Sequence, residues 1–163
     1  MNGPMNEVTI VQNPCLGAAL IWHFADAYIK EKKKGVPFLI IFLVLPILFH
    51  RTLRGLIKGT QTASGFPKVL EKLTKSREVD LLEGVNSYCK DLRPVTLSSI
   101  RMLLFLKLAS LDTSTAELVT SSTIPQLKDD GEVSEMVGIA KKLGTWFSQR
   151  SLYEIGMLLR VRF

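Results

Sequence analysis

The sequence predicts a mainly α-helical protein, and three observations carry that prediction. Apolar side chains recur every three or four residues along most of the chain, which is the spacing of one helix face. Prolines stand at the predicted starts of several helices, where their missing N–H costs little. The nearly unbroken apolar run from Val36 to Phe49 predicts a buried helix. We expect an N-terminal helical bundle around this central apolar helix (residues 1–94) and a degenerate winged helix-turn-helix (residues 95–163) packed on it as one compact unit.

The first predicted helix begins at Pro14, with Asn13 as a favourable N-cap, and stops at Gly35. A cluster of cations closes it: Lys32, Lys33 and Lys34. Cations in a last turn complement the helix dipole, which explains the cluster without a ligand. The alternative is that the three lysines contact phosphate groups or an acidic partner.

The second predicted helix runs from Pro37 to about Ile57, with a bend at Pro46 because proline removes one backbone hydrogen bond. It is apolar on every side through Phe49, so we expect other helices to surround it. A helix of 14 residues, the length of the apolar run, reaches about 21 Å, which is short of the roughly 30 Å hydrocarbon core of a bilayer. We therefore expect a core helix and no membrane association.

The middle of the chain predicts three further helices, over residues 68–74, 78–92 and 96–111. A strand is expected over Glu117–Ile124 and a helix over Glu132–Ser148. Ser151 and Glu154 have the spacing of a capping box, which opens a last helix to about Leu159.

Residues Arg160 to Phe163 are predicted to form a closing strand. The resulting order from Thr96 onward is that of a winged helix-turn-helix lacking one wing strand. A DNA-reading helix would expose basic or amide side chains, yet the last helix offers Glu154 and no cation before Arg160. Base reading is therefore not expected. Three cations could still contact phosphates or an acidic partner: Arg150, Arg160 and Arg162.

Motifs for catalysis are missing from the sequence. Gly55 to Thr60 has its glycines and lysine in the wrong order for a phosphate-binding loop, and no Gly-x-Ser-x-Gly elbow occurs. His23 and His50, the two histidines, are expected on helices as packing or surface residues. The cysteines and histidines are too scattered for a zinc site. We expect a non-enzymatic chain with no cofactor or metal of its own.

Two cysteines and the absence of a signal-like layout in residues 1–12 predict a reduced, cytoplasmic protein. The net charge of +6 suits an acidic protein or a nucleic acid as partner.

Several short segments together resemble the middle component of bacterial three-component ABC systems. The segments, spread over nearly the whole chain, are Asn13-Pro14-x-Leu16-Gly17-Ala18-x-Leu20-Ile21-Trp22-x-Phe24, Phe42-Leu43-Val44-Leu45-Pro46 with His50, Thr62-x-Ser64-Gly65, Lys142-Leu143-Gly144-x-Trp146-Phe147 and Val161-Arg162-Phe163. The resemblance implies a small adaptor between an SMC-like or Rad50-like ABC ATPase that senses foreign DNA and an effector, often a nuclease, that the adaptor helps to hold inactive. Such systems include Lamassu-type defence against phages and plasmids. ATP and Mg²⁺ would then be bound by the ATPase alone, and nucleic acid would be reached indirectly, through the complex.

The apolar excess on the first, second and last helices suggests that partner subunits cover part of it. The aromatic candidates for that interface are Trp22, Phe24, Phe49, Trp146, Phe147 and Phe163. The alternative hypothesis is a free-standing winged-helix regulator that binds DNA through its last three elements.

Overall fold

A computed structural model describes residues 13–78, 80–125 and 131–163. Eight α-helices, one 3₁₀ turn and one small sheet occur in these residues, so the prediction of a mainly α-helical protein is confirmed. The helices are α1 Pro14–Lys32, α2 Phe38–Phe49, α3 Arg51–Lys58, α4 Phe66–Lys75, α5 Asp80–Asp91, α6 Arg93–Phe105, α7 Glu132–Ser148 and α8 Leu152–Leu159; the strands are β1 Val36–Pro37, β2 Ala109–Asp112 and β3 Glu117–Thr120; the 3₁₀ turn is Thr62–Ser64. The expectation that residues 1–12 carry no secretion signal lies outside the described residues.

Helix α1 begins as its sequence predicts. The Oδ1 atom of Asn13 accepts hydrogen bonds from the backbone N–H groups of Cys15 (2.9 Å) and Leu16 (3.3 Å), which have no partner inside the helix. At the other end Lys33 adopts a left-handed conformation (φ 60°), and its N–H donates to the carbonyl oxygen of Ile29. Two of the clustered lysines thus serve the end of the helix, in the last turn and at the cap.

Helix α1 lies at the centre of the fold, where it packs most extensively on α7 and α6 and also contacts α2 and β3. Helix α2 is largely buried, but one face is open: Leu39 is 44% exposed, and Phe38, Phe42 and Phe49 are half-buried. The prediction that α2 is surrounded on every side is therefore wrong.

The chain turns sharply after α2, but not at Pro46. Helix α2 continues through Pro46, and the break falls at His50, beyond which the axis of α3 differs by 92°. His50 is extended, and its Nδ1 atom accepts from the N–H of Leu53 (3.4 Å), so the imidazole caps α3. In the described parts of the chain no single helix is long and apolar enough to cross a bilayer. Only the bent pair of α2 and α3, taken together, reaches the necessary length and apolar composition.

A three-stranded antiparallel sheet in the order β1-β3-β2 joins the two halves of the chain. Strand β1 pairs Val36 with Leu118 of β3, and both side chains are buried. Strand β3 occupies part of the predicted strand. Strand β2 lies where the sequence predicted the end of a helix, because Lys107 takes a left-handed conformation (φ 57°) and α6 ends at Phe105.

The predicted winged helix-turn-helix is not confirmed. A β-hairpin precedes α7, and no strand follows α8 in the described residues: Arg160 to Phe163 were predicted as a closing strand and are not one. Arg160 takes a left-handed conformation (φ 53°), and the N–H of Val161 donates to the carbonyl oxygen of Gly156 (3.0 Å). The chain therefore folds back on α8 instead of extending along a sheet edge. The predicted boundary between residues 94 and 95 stays a prediction; it falls inside the first turn of α6.

Candidate partner-docking groove

Four of the six aromatic residues predicted to face a partner are core residues, and this corrects the sequence prediction for them. Trp22, Phe24, Trp146 and Phe147 are each 5% exposed or less. Both indole N–H groups are satisfied inside the chain: Trp22 donates to the carbonyl oxygen of Leu108 (3.2 Å), and Trp146 to that of Thr62 (2.7 Å). The rings of Phe24 and Phe147 meet edge to face with centroids 5.8 Å apart.

The two remaining aromatic candidates stay at the surface, in different places. Phe49 is half-buried at the end of α2, beside a shallow depression that also contains His50 and Tyr88. Phe163 is 49% exposed and forms one side of a deeper, largely apolar groove of about 350 Å³. We refer to the latter as the α2–α5 groove.

Three segments from distant parts of the sequence form the α2–α5 groove. Its lining residues are Leu39, Phe42 and Leu43 of α2, Asn86, Cys89 and Lys90 of α5, Arg93 at the start of α6, and Val161, Arg162 and Phe163 after α8. Leu39 and Phe42 are three residues apart and so lie on one face of α2. That face includes Leu39, which the described elements leave 44% exposed.

The position of Phe163 follows from local structure in and after α8. Ser151 and Glu154 form the predicted capping box, which starts α8. Beyond the left-handed Arg160 the chain reverses, and the ring of Phe163 lies 3.1 Å from where a Cβ on Gly156 would stand. The Nδ2 atom of Asn86 donates weakly to the carbonyl oxygen of Arg160 (3.5 Å). Gly156 therefore provides the space that lets Phe163 fold against α8 at the edge of the groove.

The rim of the groove is positively charged. Lys90, Arg93 and Arg162 are exposed, and none of the described residues that line the groove is acidic. Within the described residues, none of these three cations forms an ion pair with a carboxylate. Burial raises the pKa of the Cys89 thiol to about 11, against a smaller opposing effect from the charge of Arg93. The groove thus offers an apolar floor with unneutralised cations around it.

The other predicted cations do not gather into one patch with this rim. Arg162 lines the groove, whereas Lys32 and Arg150 lie near Glu154, whose pKa is lowered first by hydrogen bonds with Ser151 and further by these two charges. Lys33 and Arg160 occupy helix caps, and Lys34 is exposed between α1 and β1. Sequence reasoning missed Leu39, Phe42, Lys90 and Arg93. The spacing of three residues could have placed Leu39 and Phe42 on one face of a helix. Lys90 and Arg93 belong to two successive helices, and only the tertiary structure brings them to the groove.

The geometry defines a small helical protein whose open face is an apolar groove with a basic rim, the kind of surface that binds another macromolecule. Comparison with known families makes this more specific. Residues 1–163 match the family described as MC3, ABC-three component (ABC-3C) system Middle Component 3, and the chain belongs to that family. Neither a curated protein nor a solved structure gives a significant match.

Proposed function

We propose that this protein is the non-catalytic adaptor of a bacterial defence complex of the Lamassu type. It bridges an SMC-like or Rad50-like ABC ATPase that senses foreign DNA and a nuclease-type effector that it helps to hold inactive. Membership of the middle-component family supports an assembly with two further components. In this proposal ATP and Mg²⁺ are bound by the ATPase, nucleic acid is reached through the complex, and the assembly acts against phages and plasmids in the cytoplasm.

The observation that best supports an adaptor role is the α2–α5 groove. Leu39 and Phe163 remain 44% and 49% exposed although the chain buries its two tryptophans almost completely. Aromatic and aliphatic anchors in a concave surface, with charged groups at the rim, are the usual anatomy of a protein–protein contact. A partner segment that filled this groove would remove those side chains from water.

The alternative, a free-standing DNA-binding regulator, is not favoured. It depended on a winged helix-turn-helix, and the closing strand of that motif is not formed by Arg160 to Phe163. The exposed side chains of α8 include Tyr153, Glu154 and Met157, and none of these three is a cation. These three side chains include no arginine or lysine for the acceptor-rich edge of guanine, and the Tyr153 hydroxyl is the one donor that they offer to phosphate.

Co-purification from cells that express all three components tests the proposal. With an affinity tag on the effector, the ATPase should be recovered only when this subunit is co-expressed, because the adaptor provides the link. The matched control omits this subunit and keeps the other two. Equal recovery of the ATPase in its absence would rule out a bridge, as would an effector preparation that contains the ATPase but not this subunit.

A further inference from the structure

The chemistry of the α2–α5 groove also indicates which part of a partner it receives, an inference that rests on the proposed adaptor function. We infer that the groove binds an acidic segment of a partner subunit, with one large apolar side chain seated on Leu39, Phe42 and Phe163. The carboxylates of that segment pair with Lys90, Arg93 and Arg162.

Charge complementarity selects this occupant. The three rim cations come from α5, from the start of α6 and from the residues after α8, so they surround the apolar floor on more than one side. None is paired with a carboxylate within the described parts of the chain, and no acidic residue lies among the lining residues. A partner that supplied carboxylates would neutralise these cations and would be steered to the groove by them.

The apolar floor favours a protein segment over nucleic acid. Contacts to a phosphate backbone need cations and hydrogen-bond donors but no apolar surface. Here Leu39, Phe42 and Val161 provide exposed or half-buried hydrocarbon in the same groove as the cations. The volume of about 350 Å³ admits one or two large side chains, while the open side leaves room for the backbone that carries them.

Charge reversal at Arg93 gives the sharpest test, because the substitution should not damage the fold. Arg93 is exposed and is the first residue of α6, so Arg93→Glu places an acid where the helix dipole favours one. Arg101→Glu is the matched control: it reverses an exposed arginine of the same helix that does not line the groove. The readout is the dissociation constant for whichever purified partner subunit binds the wild-type chain.

We expect Arg93→Glu to weaken binding about tenfold and Arg101→Glu to stay within about twofold of the wild type. Added salt should weaken the wild type more than it weakens Arg93→Glu, because one ion pair has already been lost. Equal affinity for the two variants would overturn the inference. If the wild type binds and Arg93→Glu binds with the same affinity, only the groove assignment fails. If the wild type binds neither partner subunit, the proposed function fails as well.

Photo-crosslinking identifies the occupant directly. A benzophenone amino acid in place of Leu39 lies in the groove, and the same residue in place of Phe105, which is 86% exposed and does not line it, is the control. In the assembled complex the probe at position 39 should crosslink to a partner peptide with more acidic than basic residues, and the probe at position 105 should not. Crosslinks from position 39 to DNA, or to a neutral or basic peptide, would contradict the inference.

Discussion

Lys142 shows how one residue of the family-like segments serves the fold. Its Nζ atom donates to the carbonyl oxygens of Ile57 (3.1 Å), Lys58 (3.4 Å) and Thr60 (2.8 Å), at the end of α3 where helical carbonyls have no partner of their own. The ammonium also lies 5.8 Å from the centre of the Trp146 ring. Desolvation, followed by the nearby charge of Lys72, lowers the pKa of Lys142. The ammonium group of Lys142 thus caps the end of α3.

Burial raises the pKa of the thiol of Cys89, which lines the groove. With a pKa near 11 against an ordinary value of 9.0, about a hundredfold less thiolate is present at pH 8. In a Cys15→Ser variant, which leaves Cys89 as the single thiol, iodoacetamide should react about a hundredfold more slowly with the folded protein than in urea. The measurement is the alkylation rate by mass spectrometry.

The control for this experiment is Cys89→Ser, which leaves the exposed Cys15. Its reaction rate should differ only a few-fold between folded and unfolded chains, because exposure leaves the thiol accessible in both. Equal rates for Cys89 in the folded and unfolded states would contradict the burial of that side of the groove.

The crossing of α1 and α7 is the element-scale feature on which the fold most depends. Gly144 allows the close approach: a Cβ there would collide with the carbonyl oxygen of Phe24 and lie 3.0 Å from the backbone nitrogen of Tyr28. Because both obstacles are backbone atoms, relief would need a helix to move. Two ion pairs link α7 to α3: Glu132 with Arg54 (2.6 Å) and Glu135 with Lys58 (2.5 Å).

Substitution of two glycines in α7 separates helix propensity from packing. Gly144→Ala should lower the free energy of unfolding by about 1–3 kcal/mol, since overpacking outweighs the better helix former. Gly138→Ala should raise it by up to about 1 kcal/mol, because no atom outside the local helix backbone lies within 4 Å of the added Cβ. Urea unfolding followed by circular dichroism measures both. A stabilising Gly144→Ala would show that the two helices are not in close contact.

The elements that could be predicted from the sequence are those set by local chemistry. The Asn13 cap, helix α7 and the Ser151–Glu154 box depend on neighbouring residues, and the structure confirms all three. Strand β1 could not be predicted, because two residues form a strand only through pairing with β3, about 80 residues further along. The break at His50 was missed because a proline is a stronger local signal than an imidazole cap.

The same reasoning explains why the candidate site was predicted only in part. Periodicity shows that Trp22, Phe24, Trp146 and Phe147 are to be buried, but it cannot say whether the covering surface belongs to this chain or to another. The tertiary structure decides which chain provides the covering surface, and here the surface belongs to the same chain. Phe163 stays a candidate for a partner interface and is 49% exposed, although the strand predicted to carry it does not form.

At the scale of the whole molecule, the chain covers most of its own apolar surface. Buried side chains from all eight helices and from all three strands of the described residues join one hydrophobic core. The expectation that neighbouring subunits cover the tryptophans is therefore wrong. Large apolar side chains that remain exposed in the described residues are Leu39, Leu97, Phe105, Leu106, Tyr153, Met157 and Phe163. Two of these line the α2–α5 groove, so the proposed adaptor role would depend on a small surface and not on an incomplete core.

Sedimentation velocity on the three purified components tests the central claim, that this subunit physically joins the other two, most directly. Alone, the 18.2 kDa chain should sediment in a slow boundary of its own. Mixed with the ATPase and the effector, it should move into one faster boundary that contains all three, and the ATPase and the effector should separate when it is left out. An unshifted boundary for this subunit in the presence of both partners would contradict the account.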